Sequence, residues 1–228
     1  MSAANLRARV RAEMTEEIKQ VARRHLATDG ANLSLRAVAR DLGMASSAVY
    51  RYFASRDELL TALIIDAYEA VGEAAAHAAT PVADPGARWI TIGHAVRDWA
   101  LANPHQWALI YGSPVPGYQA PQDTIEPAIR VIMLLAETLR DALQAGRLTG
   151  VPEQPKGRFG AEMAAVAQHF GPDVPAHLVG ATMYGFLHLC GAISAELFGQ
   201  LNNTIEDDRR GFFEWQMHAT AKFAGLSS

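Results

Sequence analysis

Cysteine is scarce in this sequence, and its longest uncharged apolar run is shorter than a membrane span. Its 228 residues include one cysteine, Cys190, so no disulfide can form within the chain. The apolar neighbours of Cys190 favour a small buried core residue over a sensor thiol, and a lone cysteine suits a reducing cytoplasm. The chain also lacks the HExxH, CxxC and GxSxG patterns of zinc, redox and nucleophile sites. We therefore expect no metal, no cofactor and no enzymatic activity, and we expect a cytoplasmic location.

The alternating apolar and polar pattern of a half-buried β-strand is also missing, and apolar residues instead recur at helical spacing. This pattern predicts an all-α fold with helices at about 56–79, 87–103, 104–110, 124–144, 175–201 and 207–224. In the fourth of these helices, one face should contain Ile125, Ile129, Ile132, Met133 and Ala136. The run from Leu178 to Ile193 has no charge, but its sixteen residues are fewer than a membrane span needs. We expect a buried helix there and no membrane association.

The segment Ser34 to Leu60 has the local signals of two short helices, a tight turn and the start of a long helix. Ser34 can cap the first helix. The apolar stripe of that helix, spaced i, i+3, i+4 and i+7, consists of Leu35, Val38, Ala39 and Leu42. Gly43 supplies a left-handed helix exit, and two residues separate it from a second helix at about Ser46 to Phe53. This arrangement is typical of a DNA-binding helix-turn-helix.

The long helix that follows should begin at a capping box, because Ser55 and Glu58 have the required S-x-x-E spacing. Another helix is indicated upstream by an apolar stripe that ends before Asp29-Gly30. The stripe consists of Met14, Ile18, Val21, Ala22 and Leu26. Short helices are stable only when packed against one another, so the sequence predicts a three-helix core.

This block resembles the TetR, or tetracycline-repressor-like, family of transcriptional regulators from about Glu17 to Leu63. The resemblance is carried by Val38-Ala39, Leu42-Gly43, Val49 to Phe53 and Ser55 to Leu59. It implies an N-terminal helix-turn-helix DNA-binding domain and a C-terminal helical domain for ligand binding and dimerisation. One departure is Ala45, which stands where the family often has a serine cap. Capping then shifts to Ser46 or is lost, at a cost of about 0.5 to 2 kcal/mol.

We expect a flexible arm at residues 1–12, the DNA-binding domain at 13–60 and the ligand-binding and dimerisation domain at 61–228. The arm contains Arg7, Arg9 and Arg11 and would either reach the minor groove or form a disordered leader. Residues 1–60 hold ten Lys/Arg against seven Asp/Glu, whereas the other 168 hold ten against seventeen. A basic N-terminal part, called the head below, suits DNA binding, because neutralising DNA phosphates supplies much of the affinity that does not depend on sequence. A chance fluctuation in charge would give the same division.

The resemblance and side-chain chemistry together suggest roles for eight residues of the head. The family uses the positions of Tyr50 and Tyr52 to contact backbone phosphates, and Arg56 adds a cation. The guanidinium of Arg36 would pair with guanine. The second helix of the motif adds four candidates, of which the first three would read bases through methyl or water-mediated contacts: Ser46, Ser47, Ala48 and Arg51. For each residue the alternative is a solvated surface side chain.

The rest of the chain suggests a sensor domain and a homodimer. Helices 175–201 and 207–224 have more apolar bulk than one small domain easily buries, and the corresponding helices of the resembled family pair as a four-helix bundle. A homodimer also suits a palindromic operator in double-stranded DNA. We also expect a pocket for a small apolar or aromatic effector. The candidates for its wall are Trp89, Trp99, Trp107, Tyr111, Met133, Phe159, Met163, His169, Tyr184 and His188. Each of these side chains could instead be ordinary core.

Two functions stay open at this point. The first is a repressor released from its operator by a small molecule, which is the usual mode of the resembled family. The second is a DNA-binding module without a small-molecule ligand, with an architectural or protein-interaction role.

Overall fold

The computed structural model describes residues 3–29, 33–150, 152–170 and 174–227. These residues form eleven α-helices and a short 3-10 helix at Gln122–Thr124, and they form no β-strand beyond an isolated bridge between Leu148 and Leu226. The helices are α1 Ala3–Asp29, α2 Leu35–Asp41, α3 Ser46–Val49, α4 Arg56–Ala79, α5 Pro85–Ala102, α6 Pro104–Tyr111, α7 Ile125–Ala128, α8 Arg130–Gln144, α9 Gly157–Phe170, α10 Ala176–Leu197 and α11 Arg209–Phe223. The predicted all-α fold is confirmed.

The helices belong to two compact units, each built from two stretches of sequence. The first unit contains Met1–Tyr68 and Asn103–Ile125, and the second contains Glu69–Ala102 and Glu126–Ser228. This division differs from the predicted boundary after residue 60, because α6 and the loop after it return to the head. Val115 of that loop is buried in the core of the head, and Tyr118 hydrogen-bonds Thr61 at 2.8 Å.

The core of the first unit forms where the predicted apolar stripes meet. Its buried side chains include Ile18, Val21, Ala22, Leu26, Leu35, Val38, Ala39, Val49 and Phe53. The described part of the predicted arm is helical instead of flexible, since α1 begins at Ala3. An i,i+4 ion pair of 3.2 Å between Arg9 and Glu13 favours this helical conformation. Gly30, where we expected α1 to end, and residues 1–2 of the arm lie outside the described residues.

The core of the second unit is organised around α10, which packs against α5, α8, α9 and α11. Leu178, Val179, Leu189 and Ile193 of this helix are buried. By length and composition alone α10 could cross a membrane, with a mean hydropathy of 1.4. The predicted helices at 175–201 and 207–224 correspond to α10 and α11. Helix α9 is an addition that the sequence patterns did not predict.

The predicted helix at 124–144 is interrupted, and its buried face is not the one we expected. The chain leaves regular α-helix at Ile129, close to Pro127, which has no backbone N–H to donate. Ile125 and Ile129 are exposed, and Ile132 and Met133 of α8 are half-buried. The buried residues of α8 are Val131, Leu135, Ala136, Thr138, Leu139 and Ala142, so of the predicted face only Ala136 is buried.

Candidate DNA interface

A tight turn orients the two short helices of the motif. Gly43 has a φ of +65°, which glycine adopts without steric cost, and this confirms the predicted helix exit. Ser34 and Ala45 occupy the N-cap positions of α2 and α3, and neither side chain forms a capping hydrogen bond. The expected Ser34 cap is therefore not made, and the cap of α3 is lost and not shifted to Ser46.

The recognition helix is shorter than predicted, because regular α-helix stops at Val49. Tyr50, Arg51 and Tyr52 form a turn, in which the amide of Tyr52 donates to the carbonyl of Val49 at 2.9 Å. Phe53 is drawn into the core, and α4 begins three residues later, which leaves no room for another helical turn. Tyr50 and Arg51 therefore project from a turn at the end of α3.

The predicted capping box at the start of α4 is present. The amide of Glu58 donates to Ser55 Oγ at 3.1 Å, and the Glu58 carboxylate accepts from the amide of Ala54 at 2.5 Å. The first bond satisfies an N–H group of the first turn of α4 that would otherwise have no partner in the helix, and the second holds the Glu58 carboxylate against the residue before the cap. They also fix Arg56, the first residue of α4, next to the end of the recognition segment, by which we mean α3 and the turn after it, residues 46–52.

One groove on the first unit brings together three of the predicted DNA-binding residues. Its volume is about 450 Å³, and it is lined by Leu33, Ser34, Leu35, Arg36, Tyr50, Ala54, Ser55 and Arg56. Tyr50 is 45% exposed. The side chain of Arg56 is 34% exposed and lies 3.7 Å from the carboxylate of Asp57. Guanidinium, phenol and hydroxyl groups converge here, and the described lining residues include no carboxylate, so the groove suits an anion such as a backbone phosphate.

The other five candidates do not line this groove and lie on α3 and in the turn after it. Ser46, Ser47 and Arg51 are exposed, whereas Ala48 and Tyr52 are half-buried. The ring of Tyr52 packs against the core of the head, and the Arg11 guanidinium lies 5.1 Å from its centroid. The structure thus places Tyr52 at the edge of the surface, with less of its ring accessible than that of Tyr50.

An ion-pair network between α1 and α4 was missed by the sequence analysis. Asp66 of α4 accepts hydrogen bonds from Lys19 at 3.0 Å and from Arg23 at 2.5 Å, and Glu16 lies 2.9 Å from Lys19. Burial opposes charge on Lys19, but its bonds to Asp66 and Glu16 outweigh burial and raise its pKa. Burial likewise opposes charge on Glu16, but bonds from Arg23 and Lys19 lower its pKa. Glu16, Lys19 and Arg23 recur along one face of α1. This spacing could have predicted that the face pairs with a charged residue of another helix.

A second ion pair joins α1 to α2 near the recognition surface. His25 Nε2 lies 2.7 Å from the carboxylate of Asp41. The hydrogen bond with His25 is the largest cause that lowers the pKa of Asp41. Together with the Asp66 network, this contact fixes α1 against both α2 and α4.

The predicted ligand-wall residues are distributed over both units. Trp107 and Tyr111 lie in the first unit, where their ring centroids are 4.4 Å apart. Trp89 is fully buried in the second unit and donates to the hydroxyl of Thr220 at 3.0 Å. Met163 is also buried, whereas Trp99 is half-buried. The contacts of Trp89 and Trp107 are those of ordinary core packing.

The remaining wall candidates differ in exposure. Phe159 and His169 of α9 are exposed. Tyr184 lies against Phe223 with 4.4 Å between ring centroids, and His188 Nε2 lies 3.1 Å from the amide oxygen of Gln216. Met133 is half-buried and lines a cleft of about 330 Å³ in the second unit. The full lining of this cleft is Gly72, Ala76, Glu126, Ile129, Arg130, Met133, Leu134 and Glu137.

Comparison with known proteins decides the family. Residues 18–63 match the model of bacterial regulatory proteins of the tetR family, and residues 89–220 match that of the tetracyclin repressor-like C-terminal domain. The chain belongs to the TetR family. The HTH-type transcriptional regulators Rv1816 of Mycobacterium tuberculosis and Mb1846 of Mycobacterium bovis are each 41% identical to it over 90% of either chain. The crystal structure of the regulatory protein SCO4313 is 32% identical, with a TM-score of 0.75 over 94% of this chain and 98% of that one.

This TetR-family protein is a transcriptional regulator with a helix-turn-helix DNA-binding domain and is not an enzyme. Burial raises the pKa of Cys190 to about 12, so the group stays a protonated thiol at neutral pH. Within the described ranges, no three His, Cys, Asp or Glu side chains are grouped to hold a metal ion.

Proposed function

We propose that this TetR-family regulator is a cytoplasmic homodimer that represses transcription from a palindromic operator and is released by a small apolar or aromatic molecule. The observation that carries the proposal is the groove where Arg36, Tyr50 and Arg56 converge, together with the exposure of Ser46 and Ser47 on α3. Tyr50 and Arg56 bind backbone phosphates in this proposal, and Tyr52 adds a third such contact from the turn. Arg36 reads guanine, and Ser46, Ser47 and Ala48 face the bases with Arg51 beside them.

An apolar patch on the second unit supports dimerisation through α10 and α11. Its exposed members are Tyr184 at 46%, Leu187 at 63%, Trp215 at 67% and Phe223 at 46%. Tyr184 and Phe223 touch, so the patch extends across both helices. Large apolar side chains on adjacent helices are typical of a protein interface, because leaving them in water is unfavourable. The simplest partner that would bury this patch is the same patch of a second copy of the chain, as in a twofold symmetric dimer.

The cleft beside Met133 supports a small-molecule effector. The residues that line the cleft include Gly72 and Ala76 of α4, the helix that begins at Arg56. A molecule bound there would therefore contact α4 directly. It would release the operator only if it bound the DNA-free conformation more tightly than the DNA-bound one.

The decisive experiment is operator mapping by selection from a random duplex pool, followed by binding assays across a small-molecule library. We expect a palindromic site whose affinity falls with salt and is abolished by one class of apolar compound. Binding without sequence preference would contradict the repressor proposal. Sequence-specific binding that no compound releases would favour the module without a ligand.

Substitutions in the groove should separate phosphate contacts from base contacts. We expect Tyr50→Phe and Arg56→Ala to weaken binding to all sequences about equally. Arg36→Ala should relax discrimination at one operator position by about 1 to 3 kcal/mol, because a bidentate contact to guanine is lost. Competition binding with single-base operator variants measures both effects. If Arg36→Ala weakened all duplexes equally, its assignment as a base reader would be wrong.

The proposed dimer interface is tested by placing a charge in it. We expect Leu187→Asp to shift the protein toward monomer in analytical ultracentrifugation and to weaken operator binding, since a buried carboxylate without a partner is costly. Leu101→Asp is the matched control, because Leu101 is 38% exposed on α5, away from the patch. An unchanged dimer in the Leu187→Asp protein would place the interface elsewhere.

A further inference from the structure

The first turns of α1 contact the end of the recognition segment through Arg11. Its Nη2 donates to the carbonyl of Arg51 at 3.0 Å, and its guanidinium lies over the ring of Tyr52. The tetR-family match begins at residue 18, so this contact comes from a part of the helix outside the matched region. The two contacts hold an exposed arginine in place on the DNA-binding side of the head.

The charge around Arg11 is not balanced by the protein. Among the described residues, no carboxylate lies within 4 Å of the guanidinium of Arg11 or of Arg51, whereas Arg9 is paired with Glu13 at 3.2 Å. Two cations next to one turn repel each other, and an anion between them would remove that repulsion. A guanidinium has five N–H donors, and one carbonyl satisfies only part of them.

We propose that Arg11 binds a DNA backbone phosphate and thereby extends the DNA interface onto α1. The phosphate lies at the end of the recognition segment, next to the one that the Tyr52 hydroxyl contacts. The residue acts from a helix that follows the phosphate backbone and not as an arm in the minor groove, because α1 is helical from Ala3. Stacking on Tyr52 fixes the guanidinium beforehand, which lowers the entropy lost on binding. This inference rests on the DNA-binding function proposed above.

The salt dependence of binding tests the proposal. Each neutralised phosphate contributes about 0.9 to the slope of log Kobs against log salt, so Arg11→Gln should reduce the slope of a dimer by about 1.8. Arg11→Lys should restore the slope, because the cation remains. Arg9→Ala is the matched control, since Arg9 has its own carboxylate partner, and we expect the wild-type slope. The probe is one synthetic duplex selected from a random pool by the wild-type protein.

A structural role for Arg11 would give a different result. If Arg11 only held the turn of Arg51 and Tyr52, Arg11→Gln would lower affinity by the same factor at every salt concentration and leave the slope unchanged, which would overturn the proposal. Ethylation interference gives a second readout, in which one phosphate per half-site should lose its effect with Arg11→Gln alone. A wild-type protein that binds no duplex would refute the proposed function itself, whereas a steep wild-type slope shared by Arg11→Gln would refute only the role of Arg11.

Discussion

Replacing Glu196 with alanine should destabilise the protein by about 3 to 5 kcal/mol, because a buried arginine loses both of its hydrogen bonds to that carboxylate and keeps only the exposed Asp98, 3.5 Å from its Nη1. Arg97 of α5 donates to Glu196 of α10 twice, from Nε at 2.7 Å and from Nη2 at 2.6 Å. Both side chains are only 7% exposed. The guanidinium also lies 5.6 Å from the ring centroid of Phe213 on α11, so the pair joins three helices of the second unit.

Two further variants separate the buried pair from surface charge. Glu162→Ala removes the partner of Arg158, whose side chain is 94% exposed, and should cost less than about 1 kcal/mol. The double substitution of Arg97→Met with Glu196→Leu should recover most of the stability, since apolar side chains of similar size need no charged partner. Urea unfolding measures all of these free energies. A loss below about 1 kcal/mol in Glu196→Ala would show that Arg97 finds another partner or solvent.

Gly185→Ala should destabilise the protein by about 1 to 3 kcal/mol through overpacking. A β-carbon at residue 185 would overlap Cζ2 of Trp89 and lie 2.8 Å from its Cη2. Trp89 is 1% exposed, and its indole is held by the hydroxyl of Thr220, so the ring has no space into which to move. Each kcal/mol corresponds to about 2 to 4 °C in Tm for a chain of this size.

Another glycine of α10 provides the matched control for Gly185→Ala. A β-carbon at Gly191 meets nothing within 4 Å in its own chain, so Gly191→Ala should stabilise the helix by about 0.5 to 1 kcal/mol when measured in the Leu187→Asp background, where the proposed dimer face is not packed. Combining Gly185→Ala with Trp89→Phe removes the two clashing ring carbons, and a double-mutant cycle should show favourable coupling. Equal Tm values for Gly185→Ala and the wild-type protein would mean that the core is able to rearrange around Trp89.

The head was predictable because its signals are local. Gly43 ends α2, Ser55 and Glu58 cap α4, and helical spacing marks the buried stripe of α2. These features depend on residues within a few positions of one another, where backbone geometry limits the possibilities. The same local view misjudged the first turns of α1, since alternating arginines suggested an arm whereas the structure continues the helix there.

The second unit was less predictable, because apolar periodicity does not identify what covers an apolar face. Trp89 and Trp215 both lie on predicted helices, but one is 1% and the other 67% exposed. In α8, Val131, Leu135 and Leu139 are buried, whereas the predicted Ile132 and Met133 are only half-buried. The role of a tryptophan as core, ligand contact or interface depends on neighbours far along the chain.

The sequence by itself determined an all-α protein with a helix-turn-helix, because short-range turn, cap and spacing signals specify that motif, and the resemblance to the TetR family implied a regulator. Only the tertiary structure decided that Arg97 pairs with Glu196, that Trp89 packs on Gly185, and that Arg11 reaches the recognition segment. These contacts join residues that are distant in sequence. Their partners depend on how the helices pack, a property that no local pattern of residues encodes.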